Sequence, residues 1–532
     1  MAYTIKDNCI LCDSCQPECP NGAIKPEAER EGYWIDPTLC DGCPDVEIPR
    51  CVASCSVGSL TPLQPKKGRC KSTLLPPAIP AIFLNGKTTS FASSMVVWEA
   101  CNVLAQRQHL PWQTDSDDRL CYRRPVHRGR GEMRFRLAAD PESDLPVPMR
   151  EKAATTAIDQ FDIRATCVHL IFAAHATTVD SPWEKSFVLN DQHIEQYLGL
   201  DKRKDLSKLA KLTLIKDWVH QSCQLLVALD WPRQGRVKAF SLAEHPVWHL
   251  LNTEYYFEED AQGYRHLIGL GFTIKAGIWA KHFLNKQDYR HQTAFYQYST
   301  LPQSLITEVM SNWQQHEGAI RLLLWLLFKL RLGGDHRLTV RTLLRIAYGE
   351  ARLKNVTTVR GAHKRLLKTF ESDLETIYYY GLKPLFDPET YPVDIQPLWS
   401  KAADIPDDVD DALEFWIDDA NQAQSLTDSA PRDKWQRLLN ARLVGFELSE
   451  QWQHTVRHRT SKRRRRSQSK ATQSEQLSAS TIKAARQQHN FSQRALAERL
   501  GKSQSWIRDV EKGRFSVSTE DQTRLRQALA IQ

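Results

Sequence analysis

The stretch CILCDSCQPECP (residues 9–20) determines how the N-terminal end of this chain can fold. Its cysteines have the spacing C-x2-C-x2-C-x3-C between Cys9 and Cys19, and a proline follows the last of them. A second run, C-x2-C-x7-C-x3-C, extends from Cys40 to Cys55. The segments CPNGAI (19–24) and CSVGSL (55–60) repeat one pattern, so we predict that residues 1–62 form one Cys-rich unit built from two similar halves.

These spacings resemble those of the two-cluster bacterial ferredoxins, in which the fourth cysteine of a run binds the other cluster. The resemblance implies a small α+β domain that holds two [4Fe–4S] clusters. It assigns four thiolate ligands to each cluster: Cys9, Cys12, Cys15 and Cys55 to the first, and Cys19, Cys40, Cys43 and Cys51 to the second. Ser56 departs from the proline that is usual after the last cysteine, and the seven-residue spacer adds a loop (44–50) near the second cluster.

Zinc and disulfides are the alternative uses of so many cysteines. Zinc also takes thiolates, but it prefers two separated pairs of ligands around one tetrahedral ion. The N-terminus lacks a charged segment followed by an apolar segment and a cleavage site, so we expect no secretory signal and a reducing compartment. The apolar run 322–328 is far shorter than the roughly 20 residues that a bilayer requires. The prediction is a cytoplasmic protein without a membrane span.

The whole chain of 532 residues, with 41% hydrophobic and 25% charged content, predicts about three domains. Residues 1–62 carry ten acids and four bases, whereas 477–532 carry ten bases and five acids, which indicates different partners for the two ends. The predicted segments are a Cys-rich domain (1–62), a linker (63–90), a mostly helical central domain (91–400), an acidic and then basic linker (401–476), and an all-α C-terminal domain (477–532).

The last segment has the pattern of short helices, with Ser492 as a helix N-cap and Gly501 as a helix terminator. We predict three helices. The segment resembles the phage-repressor type of helix-turn-helix, and the resemblance implies a homodimer on double-stranded DNA. It also implies that Gln493 contacts a phosphate and braces Gln504, which would read adenine through its amide. The implied DNA contacts are Gln493, Ser503, Gln504, Ser505, Arg508, Asp509 and Lys512.

The segment between Arg457 and Lys470 contains eight basic residues and no acidic one. Such a density of positive charge is expected to neutralise phosphates without reading sequence. A solvated linker is the other interpretation. The arginines predicted to contact DNA are Arg463, Arg464, Arg465 and Arg466.

The central segment 321–368 holds twelve basic residues and only two acids. Its periodicity predicts helices over 320–332 and 340–348, a third helix whose apolar stripe includes Leu366 and Phe370, and a β-rich stretch over 377–386. That order predicts a winged helix over 321–390, with basic side chains on the third helix. Those side chains are Arg360, Lys364, Arg365 and Lys368. A solvated basic face is the alternative.

The fusion of a ferredoxin-like unit to a repressor-type helix-turn-helix resembles the cyanobacterial PatB/CnfR-type transcriptional regulators. This resemblance implies activation of nitrogen-fixation genes under low oxygen, in vegetative cells or heterocysts. We expect a non-enzymatic regulator with DNA, RNA polymerase and a redox protein among its partners. Two alternatives stay open. One is a ferredoxin-type electron carrier tethered to DNA, and the other is a plasmid-replication initiator.

Overall fold

The computed structural model describes most of the chain as two compact units, residues 1–457 and 458–532. The described residues are 2–6, 8–26, 32–37, 39–63, 81–83, 87–143, 146–259, 265–330, 338–356, 359, 361–402, 405, 408–421, 431–449, 477–514, 517 and 519–530.

The Cys-rich unit consists of two small antiparallel ladders and one short helix. Strand β1 pairs with β4, and β2 pairs with β3. A small core that includes Ile5, Ile24 and Ile35 lies between the ladders, together with several of the cysteines. The elements are β1 (Tyr3–Ile5), β2 (Ile24–Pro26), β3 (Tyr33–Ile35), α1 (Arg50–Ala53) and β4 (Leu60–Pro62).

The central region begins with a helix-and-sheet layer whose buried helix α2 is capped by Ser94, which accepts a hydrogen bond from the backbone N–H of Val97. Its elements are β5 (Thr88–Ala92), α2 (Met95–Gln106), β6 (Gln113–Thr114), β7 (Leu120–Val126), β8 (Gly131–Leu137) and α3 (Glu151–Gln160).

The next elements form a motif that we call repeat A. They are α4 (Ala165–Thr178), β9 (Phe187–Asn190), α5 (Asp191–Leu198), α6 (Lys208–Cys223), β10 (Leu225–Trp231), β11 (Phe240–Pro246), β12 (Trp248–Glu259) and β13 (Arg265–Ala276). Strands β10 and β11 join β6, β7 and β8 in a five-stranded sheet of order β11-β10-β8-β7-β6. The remaining strands form a sheet of order β12-β13-β9 behind the three helices.

A connecting segment follows, in which β14 pairs with β5. Its elements are α7 (Trp279–Phe283), α8 (Lys286–Arg290), β14 (Tyr298–Pro302) and α9 (Gln303–Asn312).

The last part of the first unit is a motif that we call repeat B. Its elements are α10 (Glu317–Lys329), β15 (Leu338–Thr339), α11 (Val340–Tyr348), α12 (Glu350–Val356), α13 (Ala362–Tyr379), β16 (Leu382–Phe386), α14 (Leu398–Ala402), α15 (Val409–Asn421), α16 (Lys434–Asn440) and β17 (Arg442–Leu448). The strands form a sheet of order β15-β17-β16.

Repeats A and B share their local chemistry as well as their order. In each, a strand ends at a polar cap residue that accepts a hydrogen bond from the backbone N–H three residues later: Asn190 before α5 and Thr339 before α11. Each of these helices is followed by a glycine with positive φ, Gly199 or Gly349, where a side chain would strain the backbone. Both repeats contribute to one hydrophobic core.

The central domain predicted as mostly helical (91–400) has mixed helices and sheets, because strands β6 to β16 alternate with its helices. The reason is visible in β10, LLVALDW, in which all but one of the residues are buried. A strand covered on both faces has no polar–apolar alternation, so periodicity does not separate it from a buried helix.

The predicted linker over 401–476 was also too long at its start. Helix α16 and strand β17 fall inside it, yet Leu438 and Leu443 are fully buried. Strand β17 is the middle strand of the repeat B sheet and pairs with β16. Its Glu447 lies opposite Lys383, which is 64 residues earlier in the chain. A pairing across so long an insertion leaves no local signal in the sequence. The basic segment 457–476 lies outside the described residues.

The second unit is all-α, as predicted, but it has a fourth helix beyond the three expected. The helices are α17 (Ala479–Gln488), α18 (Gln493–Leu500), α19 (Gln504–Glu511) and α20 (Thr519–Leu529). Leu525 and Leu529 of α20 complete a core with Ile482, Leu496 and Ile507. Ser492 caps α18, and Gly501 ends it with a positive φ of 65°, as the sequence predicts.

Candidate functional site

Each predicted set of four cysteines lines a pocket of its own. The first pocket has an empty volume of about 340 Å³ and an apolar wall that includes Ile5 and Leu60. The second has about 330 Å³ and a wall that includes Ile24 and Ile35. The thiols around the first pocket are those of Cys9, Cys12, Cys15 and Cys55, and those around the second are Cys19, Cys40, Cys43 and Cys51. The fourth cysteine of each run therefore lies in the pocket of the other run.

Tight turns bring the closely spaced thiols of each run to the same pocket. Leu11 and Asp13, between the first three cysteines, have φ of 54° and 59°, and Cys43 has φ of 53°. Left-handed backbone is costly for residues other than glycine. These turns keep each run compact around the pocket.

The last cysteine of each run accepts hydrogen bonds on its sulfur. The backbone N–H of Ala23 donates to Cys19 Sγ, and that of Ser59 donates to Cys55 Sγ, both at 3.3 Å. The hydroxyl of Ser59 lies 3.2 Å from Cys55 Sγ, a contact that Ala23 cannot make. Hydrogen bonds to thiolate sulfurs are one of the factors that set a cluster's reduction potential. The repeated sequences CPNGAI and CSVGSL therefore differ at the position that touches the sulfur.

The acid–base properties of the thiols follow their burial. Burial raises the pKa of Cys15, of Cys40 and of Cys51, the last to about 11, so these thiols are protonated at neutral pH unless a metal displaces the proton. Burial also acts on Cys55, but the hydrogen bonds from Ser59 outweigh it and lower the pKa of that thiol. The sites thus combine thiols whose pKa is raised by burial with Cys12 and Cys55, whose pKa is lowered by hydrogen bonds to the sulfur.

The donor set of each pocket suits a [4Fe–4S] cluster. Each pocket offers four thiols and an apolar wall. Among the described residues, no three ligating side chains converge on one point as they do around a single ion. The thiols instead surround a space, which is how cysteines hold a cubane.

In the second unit, the third helix presents most of the predicted DNA contacts on one exposed face. Ile507 and Val510 of α19 are buried, and the opposite face carries the exposed side chains. Those side chains are Gln504, Ser505, Arg508 and Lys512. Ser503 is also exposed, and it caps the helix by accepting a hydrogen bond from the N–H of Trp506. The geometry is that of a recognition helix, whose N-terminal residues reach base edges in the major groove.

Two of the predicted contacts have partners inside the unit. The side-chain amide of Gln493 donates to Glu511 at 2.8 Å, and Arg486 pairs with the same carboxylate at 2.5 Å. The expected brace between Gln493 and Gln504 is therefore replaced by a bond to Glu511. Asp509 pairs with Arg514 at 2.9 Å, which orients that arginine beside the exposed face. Glu511 was among the residues that match the helix-turn-helix motif, but its buried ion pair with Arg486, which ties α17 to α19, was not predicted.

The predicted contacts Arg463, Arg464, Arg465 and Arg466, and also Arg360, lie outside the described residues. Lys364, Arg365 and Lys368 are described and exposed on α13. No helix in the described part of the chain is both long and apolar enough to cross a bilayer.

The comparisons with known proteins concern the two ends. Residues 2–25 match the 4Fe-4S binding domain family. Over 56 residues the chain is 43% identical to Ferredoxin-1 of Chlorobaculum tepidum and covers 87% of that protein, though only 10% of this chain. The Cys-rich domain at the N-terminal end belongs to the ferredoxin family. The ferredoxin domain is also 49% identical over 57 residues to a "Ferredoxin-like protein in nif region" of Nostoc sp., and the chain spans 48% of the length of that relative.

At the other end, residues 482–531 match the helix-turn-helix family, so the second unit is a helix-turn-helix domain. A solved structure of domains 2 and 3 of RctB aligns with 52% of the chain at 10% identity and a TM-score of 0.27, a similarity too low to carry an argument.

The ferredoxin domain packs on repeat A through strand β3. Alternate residues of this strand point to opposite sides, as in any strand. Tyr33 lines the first pocket and Ile35 the second. Trp34, between them, packs at a tilt against Tyr255, with ring centroids 4.4 Å apart, and edge-on against Phe257, with ring centroids 5.8 Å apart. One strand therefore contacts both cysteine pockets on one face and strand β12 on the other.

The residue after β3, Asp36, anchors the same interface. Its carboxylate is fully buried and accepts hydrogen bonds from Lys216 of α6 at 2.8 Å and from Tyr255 at 3.3 Å. Its carbonyl accepts the backbone N–H of Cys40 at 3.0 Å. Burial and the Asp36 carboxylate raise the pKa of Tyr255, which keeps its hydroxyl as a donor. Asp36 thus connects a cysteine of the second pocket to a helix of repeat A.

Proposed function

We propose that this chain is an iron–sulfur transcription regulator that holds two [4Fe–4S] clusters and activates nitrogen-fixation genes when oxygen is low. The observation that carries the proposal is the position of β3, which contacts both cysteine pockets and repeat A. A ferredoxin domain that only carried electrons would need no such link to the rest of the chain. The link lets the state of the clusters affect the central region.

The nitrogen-fixation part rests on two sources. A relative of the ferredoxin domain in Nostoc is described as lying in a nif region. The combination of domains resembles the PatB/CnfR-type regulators. Both support the proposal that the protein regulates nitrogen-fixation genes.

Oxygen responsiveness is supported by the exposure of the ligands. Cys12 is exposed, and Cys9, Cys43 and Cys55 are half-buried. A domain of about 60 residues has little apolar cover to give, so oxygen reaches both pockets. In small metal domains the free energy of ligation is also free energy of folding. Loss of a cluster therefore loosens the walls that Tyr33 and Ile35 form, and with them β3.

The release of β3 has a defined consequence for repeat A. Asp36 and Lys216 form a buried pair, and separating such a pair leaves charges that must be rehydrated. The docked and undocked ferredoxin domain therefore define two states with different contacts, which any switch requires. We infer that the docked state, with intact clusters, is the one that activates transcription through RNA polymerase.

The DNA-reading part is the exposed face of α19. Gln504 at its start suits adenine, and Arg508 and Lys512 follow along the groove. We propose a homodimer on two half-sites, located in the cytoplasm. Gln504 then supplies base preference, and the basic segment with Arg463–Arg466 supplies affinity for phosphates.

An electron-transfer role is the second candidate, and one observation favours it. Large apolar side chains are exposed around both pockets, among them Ile10 at 59% and Ile48 at 59%. Exposed apolar patches often mark contact sites for partner proteins. Such a patch suits a redox protein that reduces or oxidises the clusters, and it is compatible with regulation.

The test is purification without oxygen, followed by metal analysis and footprinting at a nitrogen-fixation promoter. We expect about eight irons per chain and transcription from that promoter that is lost on exposure to air. Stoichiometric zinc with almost no iron would contradict the cluster proposal. Unchanged transcription by protein without iron would show that the clusters serve electron transfer alone.

A further inference from the structure

Repeats A and B have the same topology. Each runs helix, strand, helix, helix, strand, strand, and in each the third strand lies between the first and the second, as β9-β13-β12 and as β15-β17-β16. Strands β10 and β11 are inserted into repeat A, and the short helix α12 and helices α14 to α16 are inserted into repeat B. Three helices backed by such a sheet form a winged helix, so the first unit holds two of them.

We propose that repeat B is a second surface for double-stranded DNA and that helix α13 is its reading helix. In helix-turn-helix proteins the helix after the turn lies in the major groove, and the helix before it crosses the backbone. In repeat B these are α13 and α11. This proposal goes beyond the helix-turn-helix domain, which belongs to the other unit.

The orientation of α13 is fixed by its buried stripe. Leu366, Phe370, Leu374 and Ile377 are at most 2% exposed and form one face. The opposite face of the first two turns carries Lys364, Arg365 and Lys368, all exposed. The N-terminal part of α13 therefore presents three cations to solvent on the side away from the core.

The acidic residues of α13 lie further along the helix, and two of the three, Glu371 and Asp373, have partners inside the protein. Glu371 pairs with Lys434 at 2.6 Å. Asp373 is buried, accepts a hydrogen bond from the hydroxyl of Tyr348, and lies 3.3 Å from His316. Their negative charge is therefore directed at repeat B itself. The exposed start of the helix keeps a positive potential.

Helix α11 extends the same charge. Arg341 and Arg345 are exposed and are separated by four residues, which places them on one face of the helix. The side chains of Leu343 and Leu344 are fully buried on the other side. A helix that crosses the DNA backbone requires cations on its outer face, and α11 has them.

Repeat A does not offer the equivalent surface. Lys216 of its third helix, α6, has a side chain that is 6% exposed because Asp36 of the ferredoxin domain covers it. Trp34 covers the hairpin strand β12 in the same way. In repeat A the ferredoxin domain therefore covers part of the third helix and the hairpin strand, whereas the start of the third helix of repeat B is exposed.

Among polyanions, double-stranded DNA best fits the exposed basic surface of α13 and α11. The major groove of B-DNA admits an α-helix, whereas the major groove of duplex RNA is too narrow for one. The same chain carries a helix-turn-helix domain, so DNA bound by that domain has a raised effective concentration for any second DNA-binding surface of the chain. The expected complex has a footprint longer than one domain would give.

The proposal is tested with full-length protein, purified without oxygen, and a mixed-sequence DNA duplex whose binding is measured across a range of salt concentrations. The variant is Lys364→Gln/Arg365→Gln/Lys368→Gln. The control, Arg130→Gln/Lys152→Gln/Lys281→Gln, removes three exposed cations from other elements of the same unit. Each lost phosphate contact lowers the slope of log K against log salt by about 0.9, so three contacts lower it by about 2.7.

We expect the slope of log K against log salt to fall in the variant and not in the control. The circular dichroism spectrum should be unchanged in both. Equal slopes for variant, control and unchanged protein would overturn the proposal, as would an equal fall in variant and control. A larger effect of the variant on a duplex RNA of the same length would overturn the choice of DNA. Gln504→Ala, measured in parallel, reports on the helix-turn-helix domain alone.

Discussion

Repeats A and B have the same topology, but their third helices, α6 and α13, have different surroundings. In repeat A the ferredoxin domain covers part of the third helix, and Lys216 pairs with the buried carboxylate of Asp36. In repeat B the third helix begins with three exposed cations. The comparison shows that the topology does not determine what the third helix binds. The neighbouring segment that covers it, or leaves it open, does.

The basic side chains of α6 that are covered in repeat A, Lys216 and His220, have carboxylates as partners. Besides Asp36, Glu142 lies 3.2 Å from His220 of α6 and accepts a hydrogen bond from Thr253 of β12. The hydrogen bond from His220 lowers the pKa of Glu142 to about 2 against the effect of burial, so this carboxylate is charged at neutral pH. Acidic groups thus cover the middle of the third helix of repeat A, whereas the start of the third helix of repeat B carries exposed cations.

Removing a cluster ligand should have the largest effect on the ferredoxin domain and its contact with repeat A. We expect Cys51→Ser to lower the iron content by about half and to abolish oxygen-dependent activation, because the second pocket contacts Ile35 of β3. Iron analysis and transcription in vitro measure the two effects. Cys70→Ser is the control, since Cys70 lies outside both cysteine runs. Full activation by the iron-depleted Cys51 variant would separate the clusters from the switch.

A matched pair of lysine substitutions sharpens the comparison. Lys216→Met leaves Asp36 buried without its nearest cation, and we expect a loss of about 3 kcal/mol, at the lower end for buried pairs because Lys25 stays 3.7 Å from Asp36. Lys364→Met changes an exposed side chain, and its effect on stability should stay within about 0.5 kcal/mol. Urea midpoints under anaerobic conditions measure both.

The same pair should show the opposite order in DNA binding, where Lys364→Met weakens affinity and Lys216→Met does not. If Lys216→Met weakened DNA binding while its urea midpoint stayed unchanged, repeat A would be a DNA-binding surface as well.

The helix-turn-helix domain should differ from repeat B in what it reads. We expect Gln504→Ala to relax preference at one base pair by about 1–3 kcal/mol. Neutralising Arg463–Arg466 should weaken binding to all sequences and flatten its salt dependence. Competition among operator variants measures the first effect and salt titration the second. If only the arginine substitutions changed base preference, Gln504 would not be the residue that recognises the base.

The smallest effect concerns the two halves of the ferredoxin domain. Ser59→Ala removes a hydroxyl 3.2 Å from Cys55 Sγ, and the first cluster should become harder to reduce, by on the order of tens of millivolts. Ala23→Ser is the reciprocal change beside Cys19. Protein-film voltammetry measures both. Potentials that moved in the same direction for the two variants would show that the hydroxyl is not the cause.

Local signals in the sequence were sufficient where the structure is local. The cysteine spacings indicated the two sets of thiols that line the pockets, and the periodicity gave α11 with the same bounds, Val340–Tyr348. The interface between the ferredoxin domain and repeat A was not predictable, because Asp36 and Lys216 are 180 residues apart. The order of elements in repeat A was not predicted for a similar reason, since β10 and β11 interrupt it and the buried strand β10 lacks alternation.

The central claim is that cluster state controls the docking of the ferredoxin domain on repeat A, and amide hydrogen exchange tests it most directly. Full-length protein is compared before and after its clusters are destroyed by air. We predict faster exchange in β12 and α6, which contact Trp34 and Asp36, and unchanged exchange in α11 and α13 of repeat B. Exchange in β12 and α6 that stayed unchanged after complete loss of iron would contradict the account.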